Sequence, residues 1–186
     1  MRRDRLKWNR KYRREAFADQ PAAIVRTYAY LAPMGRALDV ACGNGRNACY
    51  LAGRGFAVDA VDIALEGLQR FACRPTGIQR ICGDLDDFVI PPGRYSLIVN
   101  TRFLDRRLFP ALQAGLCPGG VLIFESYRTA PAGAAGGPHR PEHLLKPDEL
   151  RRAFSRLRMV VYREQPSLHA DAPAMKASLV AVRPAD

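Results

Sequence analysis

The residues best placed to do chemistry lie in Arg36–Arg46, R-A-L-D-V-A-C-G-N-G-R. Apolar Ala37, Leu38, Val40 and Ala41 surround a single acid, Asp39, and the run breaks into Gly43 and Gly45 just before a helix-like segment. A buried strand, a tight glycine turn and a helix start together bring backbone N–H groups close to a small polar ligand. Two more acids follow apolar runs in the same way. Asp62 ends A-V-D-A-V-D, and Asp84 stands in Gly83-Asp84-Leu85.

Gly43-Asn44-Gly45-Arg46-Asn47-Ala48 formally fits the dinucleotide fingerprint G-x-G-x-x-A, with Asp62 as the acid that follows. Asp39 argues against that ligand. Inside the strand it would face an anionic pyrophosphate, whereas a carboxylate suits a cation. Three acids on one crevice fit a positively charged molecule with hydroxyl and amine groups and no phosphate. S-adenosylmethionine is such a molecule, having an ammonium, a ribose diol and an exocyclic adenine amine.

At this point the chain resembles the class I S-adenosylmethionine-dependent methyltransferases. The matching residues are Leu38–Gly45 for the glycine motif, Val61-Asp62, Gly83-Asp84-Leu85, the fourth-strand run Tyr95–Val99, and Leu116–Leu122 around Pro118-Gly119-Gly120. The resemblance implies that Ala41, Cys42, Gly43 and Gly45 line the methionine part and that Asp39 reaches the donor's amino group. It also implies that Asp62 accepts the ribose hydroxyls, and that Asp84 and the Leu85 N–H hold the adenine while Ile63 packs on its ring. Each acid also has a plainer reading as a helix cap or surface charge, and Asp86 and Asp87 compete with Asp84.

The acceptor should enter over the ends of strands four and five, where Asn100, Thr101, Arg102, Glu125, Tyr127 and Arg128 stand. Asn100 also counts as a donor contact, and Asn100, Arg102, Glu125 and Tyr127 are the catalytic candidates. Glu125 or Tyr127 suits a proton relay, or equally a pocket wall. Asn100-Thr101-Arg102-Phe103 lacks the paired prolines of enzymes that methylate exocyclic base amines, and Cys117-Pro118 is in the wrong loop for a cytosine-C5 nucleophile. Compact size and the W-x-x-K-Y start (Trp8 to Tyr12) resemble small bacterial enzymes of the tellurite-resistance methyltransferase group. That suggests a small, soft or anionic acceptor near Arg102, Arg106, Arg128 and Arg140. RNA is the rival acceptor, reached by the basic N-terminal arm. A non-catalytic S-adenosylmethionine-binding protein is the remaining alternative.

The elements that must position these groups alternate. Strands are expected over about 37–41, 57–62, 78–82, 95–100 and 121–126, and helices over about 45–53, 65–73 and 104–116. This pattern implies a Rossmann-like, doubly wound α/β sheet with right-handed crossovers. A short helix from Pro147 to about Phe154 and strands over about 159–164 and 177–182 close the chain, the last two as an antiparallel hairpin that brings the sheet to seven strands. Asp19 is expected to cap a helix running to about Leu31. Residues 1–34 read as an added helical arm or cap, and 35–186 as the donor-binding domain. Leu6, Trp8, Tyr12 and Phe17 suit a face that docks on the core or closes over a ligand. Residues 128–141 read as a loop.

A chain of 186 residues suits one domain. No apolar run approaches the ~20 residues of a membrane span, and the Arg-rich start has no apolar segment behind it, so a cytoplasmic protein is expected. Five scattered cysteines without a C-x-x-C pair read as reduced thiols. His139, His143 and His169 have no ligand spacing, so no metal is expected. The net charge of +11 fits an anionic partner or simply an Arg-rich genome. A monomer and a homodimer are equally compatible with this composition.

Overall fold

The computed structural model describes residues 2–71, 73, 76–129, 140–166 and 174–185. Seven strands form one sheet in the order β3-β2-β1-β4-β5-β7-β6: β1 (Arg36–Val40), β2 (Ala57–Asp62), β3 (Ile78–Cys82), β4 (Tyr95–Thr101), β5 (Leu116–Tyr127), β6 (Arg158–Pro166) and β7 (Met175–Val182). β1 through β5 pair in parallel. β7 runs antiparallel to both β5 and β6, so it is the one reversed strand. The expected hairpin therefore lies at the sheet edge with its second strand inward. The strand order reverses between β1 and β4, which opens a crevice at their C-terminal ends.

Side-chain alternation assigns each residue a face. Ala37, Val58, Ala60, Leu97, Val99, Ile123 and Val180 pack on one side, under α2 (Ala23–Tyr28) and α3 (Arg46–Gly53). Leu38, Val40, Ile98, Leu122, Phe124 and Leu179 pack on the other, against α5 (Phe109–Gly115) and α6 (Glu149–Ala153). Phe109, Phe124 and Phe154 meet there at ring separations of 5.1–5.8 Å. β1 and β4 are buried on both faces, as parallel strands covered by helices on each side should be.

Several elements depart from expectation. Asp19 does not cap α2. The helix starts after Ala22, whose N–H donates to Asn47 Oδ1 at 2.9 Å, while Asp19 accepts from Asn44. The expected helix over 104–116 is a 3₁₀ turn, Arg106–Leu108, capped by Asp105, followed by the shorter α5. Pro110 explains this, because proline is tolerated only in a helix's first turn. Likewise α4 (Leu65–Gln69) stops well before Cys73. Pro118-Gly119-Gly120 lies inside β5 as an irregularity in its pairing with β4, with Gly119 at φ +75°. The cysteines are not all reduced: Cys49 on α3 and Cys73 form a disulfide with Cα atoms 5.8 Å apart, within the usual range. Their separation of 24 residues leaves no local signature. Most of the expected loop over 128–141, with His139 and His169, lies outside the described residues.

Candidate functional site

The glycine turn follows β1 directly. Ala41, Gly43 and Gly45 all have left-handed backbone, at φ +50°, +59° and +74°. The Gly45 N–H donates to the Cys42 carbonyl at 3.0 Å, and the Cys42 N–H to Val61 on β2. The chain thus folds back over the strand ends before α3 begins.

Alternation places Asp39 and Asp62 on the same face, toward α3. Asp39 is 1% exposed, and its Oδ2 accepts from the Ala48 N–H at 3.0 Å. Burial pushes its carboxyl up to about 7, against the opposing pull of the Ala48 N–H and Arg46. Asp62 ties the turn to β2, with Oδ2 accepting from the Gly43 N–H and Oδ1 from the Ala64 N–H, both at 2.8 Å. Its pKa is also raised by burial, against these same N–H groups. Neither carboxylate has a Lys or Arg within ion-pair distance among the described residues. A carboxylate has about four acceptor positions, so Asp62 keeps capacity on both oxygens beyond its two backbone bonds.

Beyond β3, Asp84 Oδ1 accepts from the Asp86 N–H at 3.2 Å, Leu85 packs against the core, and Ile63 is half-buried above β2. Asn100 faces away from Asp39, and its Nδ2 donates to the Phe103 carbonyl at 2.9 Å. Thr101 and Glu125 pair in register on the α3 face. Glu125 accepts from Lys176 Nζ at 3.3 Å and from the Ser178 hydroxyl at 3.0 Å, and Lys176 also lies over the Tyr127 ring. The mouth arginines divide sharply. Arg106 is locked to Glu149 at 2.6 Å and to two carbonyls, Arg128 stands 3.1 Å from Glu164, and Arg140 3.8 Å from Glu142. Arg102 alone of the four has no carboxylate within ion-pair distance among the described residues.

Two residues gain roles at the glycine turn that the sequence did not give them. The first is Tyr12 on α1 (Arg2–Arg14), which is buried with its ring between Gly43 and Gly67. A Cβ at Gly43 would collide with its hydroxyl, which burial and the nearby Asp62 make a much weaker acid than usual. Phe71 lies on Gly45 in the same way. The Trp8/Tyr12 spacing was the available signal, with Tyr12 also stacked on Phe17 at 4.3 Å. Leu6, expected on the docked face, is instead exposed. Asn9 accepts from the Glu66 N–H at 2.9 Å, Arg13 pairs with Glu66, and Arg70 caps the end of α1 through the carbonyls of Arg13 and Glu15.

The second is Arg46 in the first turn of α3. Its Nη1 donates to the Gln20 carbonyl at 3.4 Å, and burial, with Arg102 nearby, lowers its pKa. Asn44 and Asn47 hold residues 18–22 from the same turn. The polar residues of G-N-G-R-N therefore fasten the N-terminal segment across the site, a role invisible in the motif alone.

Residues 37–120, from β1 through the P-G-G turn, match a family model described as "Methyltransferase domain". That stretch is similar to a methyltransferase domain. The similarity implies S-adenosylmethionine as the methyl donor, and the acceptor-rich groups described above fit a ligand bearing an ammonium and hydroxyls. No curated protein matches the sequence significantly. Among solved structures, the methyltransferase fold is shared with a SAM-dependent methyltransferase from Methanosarcina mazei (16% identity, covering 90% of this chain and 100% of that one, TM-score 0.68). It is shared too with an S-adenosylmethionine dependent methyltransferase from Mesorhizobium loti (22% identity, 86% and 95%, TM-score 0.67) and TehB from Haemophilus influenzae (18% identity, 96% and 66%, TM-score 0.69).

Proposed function

We propose that this protein transfers the methyl group of S-adenosylmethionine to a small-molecule acceptor. The observation that carries this reading is the pair of buried carboxylates, Asp39 and Asp62, set on one face beside the glycine turn with no Lys or Arg within ion-pair distance among the described residues. When bound, the donor supplies a sulfonium whose methyl is displaced in line by a lone pair of the acceptor. Asp62 accepts the ribose hydroxyls on its remaining positions, and Asp39 faces the ammonium. Ala41, Cys42, Gly43 and Gly45 line the methionine part, with Arg46 against the donor's carboxylate. Asp84, Leu85 and Ile63 surround the adenine, and Asn100 braces the end of β4.

Catalysis then rests on positioning, for which well-oriented reactants gain roughly 7–11 kcal/mol. Tyr12 and Phe71, pressed on the two glycines, roof the donor and exclude water. A proton released by the acceptor passes to Tyr127 or Glu125, or to solvent. Residues 1–34 act as the cap of the domain.

One observation favours RNA as a second reading. A groove of about 340 Å³ along α1 is lined by Leu6, Asn9, Arg10, Arg13 and Arg14. RNA binding through it should fall steeply with salt. The primary reading is tested by thermal shift: S-adenosylhomocysteine should raise the melting temperature and NAD should not. Absence of a response to S-adenosylhomocysteine would sink the reading.

A further inference from the structure

We propose that the Cys49–Cys73 disulfide is a redox switch on donor affinity, acting through Phe71. This rests on the donor reading above and adds a means of regulating that same site.

The coupling comes from register. Gly45 caps the start of α3, and Cys49 stands one turn further on, its N–H donating to the Gly45 carbonyl at 2.7 Å. Residues four apart lie on one face of a helix, about 6 Å apart along its axis. Phe71 and Cys73, two residues apart in the chain, meet those same two positions. A Cβ at Gly45 would run into the Phe71 ring, and Cys73 is bonded to Cys49. The covalent bond is therefore one helical turn from the aromatic contact on the glycine turn.

The contacts that hold Phe71 without the bond are weaker. α4 ends before it, at Gln69. Phe71 packs at the margin of the core under α3, and the Arg80 guanidinium lies 5.8 Å from its ring centroid. Its neighbour Arg70 holds the end of α1, the helix that lays Tyr12 on Gly43, through the carbonyls of Arg13 and Glu15. Both roofs of the turn thus adjoin the bridged cysteine. Cys49 and Cys73 are each half-buried, within reach of thiol–disulfide exchange. A dithiol reductant attacks one sulfur as its thiolate, breaking the S–S bond and forming a mixed disulfide; its second thiolate then displaces the protein sulfur and leaves as a cyclic disulfide. The two cysteines take up the electron pair and two protons, and a disulfide oxidant runs the exchange in reverse. With the bridge closed, Phe71 stays over Gly45 and the site is pre-organised for the donor. With it open, only the molecules in which Phe71 returns to the turn bind the donor at full strength.

Calorimetry with S-adenosylhomocysteine tests this, on protein treated with oxidised glutathione or with dithiothreitol and held well below the melting transition of the reduced form. A thiol assay in denaturant should count three free cysteines in the oxidised chain and five in the reduced one. Reduction should weaken binding about 10-fold, the result expected if Phe71 covers Gly45 in roughly a tenth of reduced molecules. Cys73→Ser should bind like the reduced protein and ignore the reductant. Phe71→Ala keeps the bridge and should bind weakly and equally in both redox states. Hydrogen exchange reads the same release without a donor: amides of residues 42–47 should exchange faster after reduction, and those of β7 should not. Unchanged affinity on reduction overturns the proposal, as does a full reductant response in Phe71→Ala or a count of five free thiols after the oxidant. If S-adenosylhomocysteine binds in neither state, the donor reading falls, and hydrogen exchange alone decides whether the bridge governs the turn.

Discussion

Asp59 and Asp62 stand three residues apart on β2, in a run that repeats A-V-D twice, yet they live in opposite surroundings. Alternation turns them to opposite faces. Asp59, 3% exposed, pairs with Arg36 at 2.6 Å, accepts from the Tyr95 hydroxyl at 3.1 Å and has Arg94 at 3.8 Å. Asp62 is also buried but accepts only from the backbone of the glycine turn and the start of α4. One end of the strand has its acid paired with arginines, and at the other the acid is held by backbone N–H groups. Burying a carboxylate without an ion-pair partner is expensive, and among the described residues neither Asp62 nor Asp39 has one. Tyr95, whose hydroxyl is pushed up to about 12 by burial and by Asp59, belongs to the first class.

Removing each acid should break this contrast in different currencies. Asp59→Ala strips Arg36 and Tyr95 of their shared partner and should cost about 3 kcal/mol or more of stability, read as a lower urea midpoint, while affinity for S-adenosylhomocysteine per folded molecule stays the same. Stability of the ligand end depends instead on its cross-link. Reducing Cys49–Cys73, or Cys73→Ser, should cost about 2–4 kcal/mol in the same denaturation measurement. Asp62→Ala should act mainly on binding, weakening S-adenosylhomocysteine about 10- to 100-fold by calorimetry; unchanged affinity would remove Asp62 from the site.

Two smaller effects sharpen the picture. Gly43 and Gly93 share a left-handed backbone, at φ +59° and +64°, but a Cβ at Gly93 meets nothing while one at Gly43 meets Tyr12. Gly93→Ala should therefore cost only about 1–2 kcal/mol of strain, visible in melting and not in donor affinity. Gly43→Ala should add displacement of Tyr12 and a measurable loss of affinity. The last test uses pH. Asp39 holds its proton in the fold up to about 7, whereas an unfolded Asp loses it near ~4. The folded state thus binds more protons between these values, and this group's contribution to stability falls as pH rises from about 4 to about 7. An ammonium ligand needs the ionised form, so affinity for S-adenosylhomocysteine should rise as pH climbs through about 7, with proton release seen as a buffer-dependent binding enthalpy.

Much of the frame was legible in the sequence because it rests on local periodicity. β2 and β3 run where the apolar pattern puts them, β1 and β4 differ by a residue, and the closing hairpin follows from two strands without an intervening helix. The three acids were legible as candidates for the same reason. Misreadings arose where a single residue overrode the pattern, as Pro110 does in the helix expected over 104–116, or where the partner is distant. Asn47 replacing Asp19 as the partner of α2's first turn joins residues 25 apart, and the Cys49–Cys73 bridge likewise spans a long gap.

By itself the sequence determined the order of strands and helices, the parity that turns Asp39 and Asp62 to one face, and the glycine turn beside them. Those depend on what each residue is and on its near neighbours. Tertiary structure alone decided that Asp59 has an arginine partner while Asp62 has none among the described residues, that Tyr12 and Phe71 lie on the glycines, and that among the expected mouth arginines Arg102 has no carboxylate partner among the described residues. The reason is physical. Whether a charge is neutralised depends on groups within a few ångströms, and in a sheet of parallel crossovers those groups come from distant parts of the chain.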